Sequence, residues 1–69
     1  MKTYKLQMIG INGKITSRVF ESYTLEMAVI EAKAFSEAFN KDVNLFEEKE
    51  TGYEQVYCYS SFSDEEHYI

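Results

Sequence analysis

The chain has 69 residues, of which 45% are hydrophobic and 16% aromatic, and its formal net charge is −5. This length predicts one domain, and the apolar content excludes an intrinsically disordered chain. The acidic balance disfavours binding to bulk nucleic acid and favours partners with basic surfaces. Cys58 is the only cysteine, which excludes a disulfide within the chain and is typical of a reducing compartment.

The first ten residues, MKTYKLQMIG, lack the apolar run of a secretory signal. No stretch approaches the roughly 20 apolar residues that a membrane span requires. We therefore expect a soluble cytoplasmic protein. A chain this short has a thin core and often needs a metal, a disulfide or a second subunit for stability.

The first predicted element is a β-hairpin in which two alternating runs, 3–11 and 14–20, flank Asn12-Gly13. Asn-Gly at this place is typical of a two-residue type I′ turn, because that turn needs two residues with positive φ. The resulting register sets Gln7 opposite Arg18. The face expected to meet the core carries Tyr4, Leu6, Met8, Ile15 and Val19.

A helix is predicted over about residues 25–39, with Thr24 as its N-cap and Glu26 in the first turn, where the helix dipole favours an anion. Apolar residues recur at i, i+3, i+4 and i+7, which predicts one stripe packed against a sheet. The stripe consists of Leu25, Ala28, Val29, Ala32, Phe35 and Phe39.

Two further strands, 43–48 and 54–60, are joined by a turn that contains Gly52. The order hairpin, helix, hairpin predicts an α+β fold, a two-layer ββαββ sandwich with one helix on a four-stranded, largely antiparallel sheet. The single domain is predicted to span 1–62. Residues 63–69 are expected to form an acidic C-terminal tail.

The back of the predicted helix is apolar, although a helix on the outside of a two-layer fold should be polar there. At about 100° per residue, four residues point away from the core stripe. They are a candidate docking stripe for a partner or for a second copy of the chain. The alternative is incidental exposure, since single exposed apolar side chains are common. The four residues are Met27, Ile30, Ala34 and Ala38.

The sheet face opposite the helix is a second candidate surface, with Val56 and Cys58 expected to turn inward. Basic and aromatic side chains together resemble single-stranded nucleic-acid platforms. Lys5 and Arg18 would be the cations, and Tyr57 and Tyr59 the rings on which bases stack. The scarcity of cations and the acidic neighbouring hairpin disfavour this function. The predicted face comprises Lys5, Gln7, Ile9, Ile11, Thr16, Arg18, Phe20, Tyr57 and Tyr59.

Negative charge is concentrated in the second half of the chain. Residues 1–41 have a net charge of +2, whereas residues 42–69 have a net charge of −7. We predict that this acidic half binds a basic partner, with Tyr57 and Tyr59 as aromatic anchors. The alternative is that the acidic residues only keep a small protein soluble. The predicted partner-binding acids are Glu47, Glu48, Glu50, Glu54, Asp64, Glu65 and Glu66.

Cys58 and His67 are single residues of their types, and we predict neither a metal site nor a catalytic pair from them. A structural zinc site takes four ligands, mostly Cys and His. A Cys–His nucleophile needs a pocket and a third, orienting group. We therefore predict no cofactor, and an enzyme is the least favoured class.

The layout of the whole chain, acidic and without proline, with two hairpins about a helix that opens TLEMAVIEAKAF, resembles small accessory proteins of bacteriophages and mobile elements. These include anti-CRISPR and other anti-defence inhibitors. The resemblance implies a non-catalytic protein that binds and inhibits a host protein in the host cytoplasm, one that handles nucleic acid or acts in defence. It carries over no functional residue. The alternatives are a homodimeric structural or regulatory module assembled through the outer helix face, and a single-stranded nucleic-acid binder.

Overall fold

A computed structural model describes all 69 residues and contains one helix and five strands. The elements are β1 (Lys2–Ile9), β2 (Ile15–Ser22), α1 (Leu25–Phe39), β3 (Asp42–Lys49), β4 (Gly52–Ser60) and β5 (Glu65–Tyr68). Every strand pair is antiparallel, and the order across the sheet is β2-β1-β3-β4-β5. One helix packs on one face of this sheet, so the predicted α+β class is confirmed.

The sheet has five strands where four were predicted, because part of the expected acidic tail pairs with β4. Tyr68 lies opposite Tyr57, and Glu65 lies opposite Ser60. Asp64 has a φ of 53°, in the left-handed region that Asp tolerates better than most residues, at the point where the chain reverses into β5. The tail therefore contains a strand that closes one edge of the sheet.

The first hairpin has a three-residue turn where a two-residue turn was predicted. The N–H of Gly13 donates to the carbonyl of Gly10 at 2.9 Å, and the N–H of Gly10 donates to the carbonyl of Lys14 at 2.9 Å. A type I′ turn needs positive φ at both Asn12 and Gly13, and only Gly13 has it. The prediction of a type I′ turn is therefore wrong. A β-turn followed by a left-handed glycine is the usual form of a three-residue hairpin.

This turn shifts the register by one residue, and a shift of one residue moves every β2 side chain to the other face of the sheet. Ile15 and Val19, predicted as core residues, lie on the face opposite the helix and are 55% and 58% exposed. Their pairing partners are Ile9 and Lys5, not the inward residues of β1. The prediction that they enter the core is wrong.

Thr16, Arg18 and Phe20, predicted for the open face, lie instead on the helix side, opposite inward residues of β1. The Phe20 ring stacks on Tyr4 at 5.8 Å between centroids. An aromatic ring buries more apolar area there than the valine that was predicted, which favours the observed register. Ile11, also predicted for the open face, lies in the turn and is 83% exposed.

The helix bounds and the N-cap agree with the prediction. Thr24 is extended, and its hydroxyl accepts a hydrogen bond from the N–H of Met27 at 3.2 Å. The helix ends at Phe39, and the next residue, Asn40, is its C-cap, with a φ of 54° in the left-handed conformation. Ser36 is fully buried, and its hydroxyl donates to the carbonyl of Lys41, which secures the chain as it enters β3.

Nine buried hydrophobic residues form the core between the helix and the sheet. Of the predicted stripe, Leu25 and Phe35 pack at the margin, and Phe39 is 57% exposed because it stands in the last turn. The core residues are Tyr4, Leu6, Ala28, Val29, Ala32, Val43, Leu45, Tyr57 and Tyr59.

Candidate protein-interaction surfaces

Tyr57 and Tyr59, predicted as exposed anchors for a partner, lie in the core. Their exposed fractions are 0% and 5%. They lie opposite Leu45 and Val43 of the neighbouring strand β3, whose side chains face the helix. Neither ring is accessible to a partner, so this prediction is wrong.

The prediction failed because the side chains of β4 alternate in the opposite sense to the one expected. Cys58, predicted to turn inward, lies opposite Asn44 on the open face of the sheet and is half-buried there. Val56 is the additional residue where the register shifts beside Leu45 and Phe46, and it packs at the margin of the core. Tyrosine fills the core because its ring provides a large apolar area, provided that the hydroxyl finds a polar partner.

Strand β5 and the turn that precedes it supply those polar partners. The Tyr59 hydroxyl donates to Asp64 Oδ1 at 2.8 Å, and the Tyr57 hydroxyl donates to the Glu66 carboxylate. The bond to Asp64, together with burial, raises the pKa of Tyr59 to about 12. Burial, and then the bond to Glu66, raise the pKa of Tyr57, and the same bond lowers the pKa of Glu66. Two of the predicted partner-binding acids therefore hold core tyrosines in place.

Glu47 also has an internal role. It is 8% exposed, and its carboxylate accepts a hydrogen bond from Lys49 Nζ at 2.8 Å, with Lys2 Nζ 3.9 Å away. The hydrogen bond to Glu47 raises the pKa of Lys49. Glu47 and Lys49 thus form a structural ion pair. It lies beside the core residue Tyr4, which is opposite Glu47 on β1.

The predicted acidic residues do not form one surface. Glu48, Glu50 and Glu54 are exposed around the β3–β4 turn, whereas Glu65 is exposed at the opposite end of β4. Eight residue steps separate the two ends, roughly 26 Å in a strand. The acidic residues are close together in the sequence but not in space, so one partner would meet fewer negative charges than the sequence predicts.

Sequence reasoning missed two acids that share the end of the fold where α1 begins. Glu21 lies near the end of β2, opposite Thr3, and Glu26 stands in the first turn of α1. The β3–β4 turn lies at the same end, because Tyr4 pairs with both Phe20 and Glu47. The chain order hid this grouping, since the two glutamates precede the acidic half.

The four residues of the predicted docking stripe all lie on the outer face of α1. Met27 is 50% and Ile30 is 69% exposed, and Ala34 and Ala38 are exposed below them. Phe39, predicted for the core stripe, is 57% exposed and adjoins this stripe beside Ala38 at the C-terminal end of the helix. A shallow apolar groove is lined there by Ala34, Phe35, Ala38 and Phe39. The outer stripe is hereafter the set Met27, Ile30, Ala34, Ala38 and Phe39.

Acidic side chains form the rim of the outer stripe. Glu26 and Glu37 are exposed, and Glu31 is half-buried beside the stripe. The single cation of the helix, Lys33, is directed toward the sheet, where its Nζ lies 3.4 Å from a Glu66 oxygen and 5.2 Å from the centre of the Tyr59 ring. The outer face therefore combines an apolar centre with a negative rim.

The open face of the sheet is polar at its centre. Asn44 Nδ2 donates to Gln7 Oε1 at 3.3 Å, and Gln55 Nε2 donates to Asn44 Oδ1 at 3.0 Å. Beside this chain of amides, Lys5 Nζ lies 5.2 Å from the Phe46 ring centre and 4.6 Å from the Tyr53 ring centre. The alternation of Asn44 and Phe46 between buried residues of β3 was a signal for this face in the sequence.

Of the four residues predicted to bind single-stranded nucleic acid, only Lys5 lies on the open face. Arg18 lies on the helix side, its guanidinium carbon 4.7 Å from the centre of the Phe35 ring, and Tyr57 and Tyr59 are buried. The predicted set of side chains is therefore wrong as a binding platform, because its members are split between the two faces.

Cys58 and His67 are neighbours across β4 and β5, although nine positions separate them in the chain. Both line a shallow pocket of about 260 Å³ together with polar side chains such as Asp42 and Ser63. His67 Nε2 lies 3.9 Å from a Glu65 oxygen, which is beyond hydrogen-bond distance. No group of three or more His, Cys, Asp and Glu side chains is arranged to hold a metal ion.

Comparison with known proteins assigns no family: no family model, no curated protein and no solved structure matches the chain. None of the residues forms a helix of the length and hydrophobicity needed to cross a membrane. The surfaces of the fold are therefore the basis for a functional proposal.

Proposed function

We propose that this protein is a non-catalytic binding module whose outer stripe docks into an apolar groove of another protein with a basic rim. The observation that carries the proposal is the apolar outer face of α1, with Ile30 at 69% exposed and Met27 at 50%. Contiguous apolar surface of this kind marks interaction sites in small soluble proteins.

The spacing of the outer stripe suits recognition of a helix in a groove. Met27, Ile30, Ala34 and Ala38 follow the i, i+3, i+7 and i+11 positions of one helix face, which is how amphipathic helices anchor in such grooves. The alanines permit close approach of a partner backbone, and Ile30 is the largest central anchor.

The acidic rim specifies the charge of the partner. Glu26, Glu31 and Glu37 would meet basic side chains at the edges of the groove, which raises the association rate and excludes acidic partners. Basic grooves are typical of proteins that handle nucleic acid. This agrees with the inhibitor of a nucleic-acid-handling or defence protein that the resemblance to phage accessory proteins implies.

The same rim disfavours the alternative in which two copies meet through the outer stripe. That arrangement would bring the two negative rims, Glu26, Glu31 and Glu37 of each copy, directly together. Like charges in direct apposition across an interface cost binding free energy. A different protein with positive charge is the better fit.

Capture from a bacterial lysate, with and without nuclease, tests the proposal when variants are compared. We expect one protein to be retained at near-stoichiometric level by the wild type after nuclease treatment, and to be lost with Ile30→Glu. Ile11→Glu is the matched control, since Ile11 is 83% exposed in the β1–β2 turn. Equal retention by both variants would refute the role of the outer stripe.

The electrostatic part is tested separately, by the rate of association with the captured protein. Reversal of Glu31 and Glu37 to lysine should slow association and flatten its dependence on salt, because steering by the rim is lost. Glu65→Lys, on the open face, is the control of equal charge change per residue. An unchanged rate in the rim variant would contradict the predicted charge of the partner.

A further inference from the structure

The strand β2 is a long and uninterrupted edge of the sheet. It has eight residues, it pairs with β1 alone, and neither a proline nor a shift of register interrupts it. The opposite edge, β5, has four residues and carries Glu65 and Glu66. Proteins usually protect edges by shortness, charge, proline or bulges, so β5 is well protected, whereas β2 has only the charges of Arg18 and Glu21.

The hairpin geometry shows which backbone groups of β2 face outward. Gly10 and Lys14 form a hydrogen-bonded pair at the turn. Hydrogen-bonded and non-hydrogen-bonded pairs alternate along an antiparallel ladder, so Thr16, Arg18 and Phe20 bond to β1. The N–H and C=O groups of the intervening residues are directed away from the sheet. These residues are Ile15, Ser17, Val19 and Glu21.

We propose that β2 pairs in antiparallel fashion with β2 of a second copy of the chain, about a two-fold axis at Val19. The two sheets then form one continuous sheet of ten strands. In this register Val19 lies opposite Val19 of the second copy, Ser17 lies opposite Glu21, and Arg18 lies opposite Phe20. The residues with outward backbone groups are the ones that form the hydrogen-bonded pairs.

Charge and the number of paired residues favour this register over the two registers in which the two-fold axis is shifted by one residue. A shift of the two-fold axis to Arg18 sets the two arginines directly opposite each other, and like charges opposite each other destabilise a sheet. A shift to Phe20 leaves fewer residues paired, because β2 ends at Ser22. With the axis at Val19, Arg18 keeps its place over the Phe35 ring and gains a second aromatic neighbour on the other chain.

Self-pairing also answers the need for extra stability in so small a protein. The core contains nine buried hydrophobic residues, and a chain of this size commonly gains stability from a second subunit. The inference does not rest on the proposed function, because the β2 edge and the outer stripe share no residue. The dimer leaves the outer stripe of each copy free for a partner.

The first test is sedimentation equilibrium of the wild type and of Val19→Pro over micromolar to millimolar concentration. The N–H of Val19 is directed outward, so proline, which edge strands accept, leaves the ladder with β1 intact. We expect a wild-type dimer, and a dissociation constant raised on the order of 100-fold in Val19→Pro, through loss of the central hydrogen bonds. Far-ultraviolet circular dichroism of Val19→Pro and of the wild type is the check that the variant remains folded.

Crosslinking tests the register without disturbing the fold. In a Cys58→Ser background, Val19→Cys brings two sulfur-bearing residues within about 5.5 Å between Cα atoms, which a disulfide spans. Ser17→Cys is the control, because four residue steps, roughly 13 Å, would separate its two copies. We expect a covalent dimer of Val19→Cys alone under mild oxidation.

Three results would overturn the inference. They are a wild type that is monomeric at millimolar concentration, a dimer that Ile30→Glu dissociates and Val19→Pro does not, and equal crosslinking at positions 17 and 19. The second result would assign dimerisation to the outer stripe and would contradict the proposed function as well. The first leaves the proposed function intact, so the two failures are distinguishable.

Discussion

Substitution of Tyr57 by phenylalanine removes one hydroxyl from the core and leaves the ring in place. The hydroxyl donates to the Glu66 carboxylate, and Tyr57 is fully buried. A hydrogen bond to a charged group contributes roughly 1.5–3 kcal/mol to the free energy of unfolding. For a domain of this size each kcal/mol shifts the melting temperature by about 4–8 °C, so a loss near 2 kcal/mol lowers it by about 8–16 °C.

The same substitution changes the dependence of stability on pH. The pKa of Tyr57 is raised in the folded state, so its contribution is complete below its ordinary pKa of about 10 and is lost as the pH rises further. The pKa of Glu66 is lowered, chiefly by the same bond, so its contribution is present above its ordinary pKa and lost in acid. Tyr57→Phe should therefore flatten both the alkaline and the acid decline of stability.

The assay is urea and thermal unfolding, followed by circular dichroism, at pH 3, 7 and 11. Tyr53→Phe is the matched control, because Tyr53 is a tyrosine of the same strand that is 39% exposed, on the open face of the sheet. We expect the control to change stability by less than about 0.5 kcal/mol. Equal stabilities and equal pH profiles for the two variants would refute the role assigned to β5 in holding the core.

Two further predictions concern the core and the helix start. Leu45→Ala should lower the free energy of unfolding by about 2–5 kcal/mol in urea titrations, since Leu45 is fully buried between Leu6 and Tyr57 on neighbouring strands; a loss below 1 kcal/mol would place Leu45 outside the core. Thr24→Ala should cost about 1 kcal/mol through loss of the cap on the Met27 N–H, and Thr24→Ser should restore most of it; no recovery with serine would show that the methyl group, not the hydroxyl, matters.

Much of the fold is legible in the sequence because the signals are local. The helix over 25–39 follows from apolar residues at helical spacing and from one capping hydroxyl at Thr24. Four residues of the outer stripe could be found in the same way, since helical geometry alone decides which residues oppose the core stripe. The fifth, Phe39, was predicted for the core stripe. Its use by a partner is a proposal that rests on exposure and charge.

Which side chains of β2 and β4 point toward the core could not be predicted from local patterns. The two apparent core residues of β2, Ile15 and Val19, lie outside because one additional turn residue reverses the strand. The apparent anchors Tyr57 and Tyr59 lie inside because two carboxylates, Glu66 in β5 and Asp64 just before it, accept hydrogen bonds from their hydroxyls. Residue type predicted the wrong face in both strands.

The sequence by itself determined the α+β class, the helix with its N-cap and the apolar outer face of that helix, because these depend on spacing within a few residues. Only the tertiary structure decided that the acidic C-terminal segment is a strand, that its carboxylates serve the core, and that β2 is a free edge. These features arise from competition among distant segments for one small core and for places at the edge of one sheet. Such competition is settled by register and packing across the whole chain, which no local pattern records.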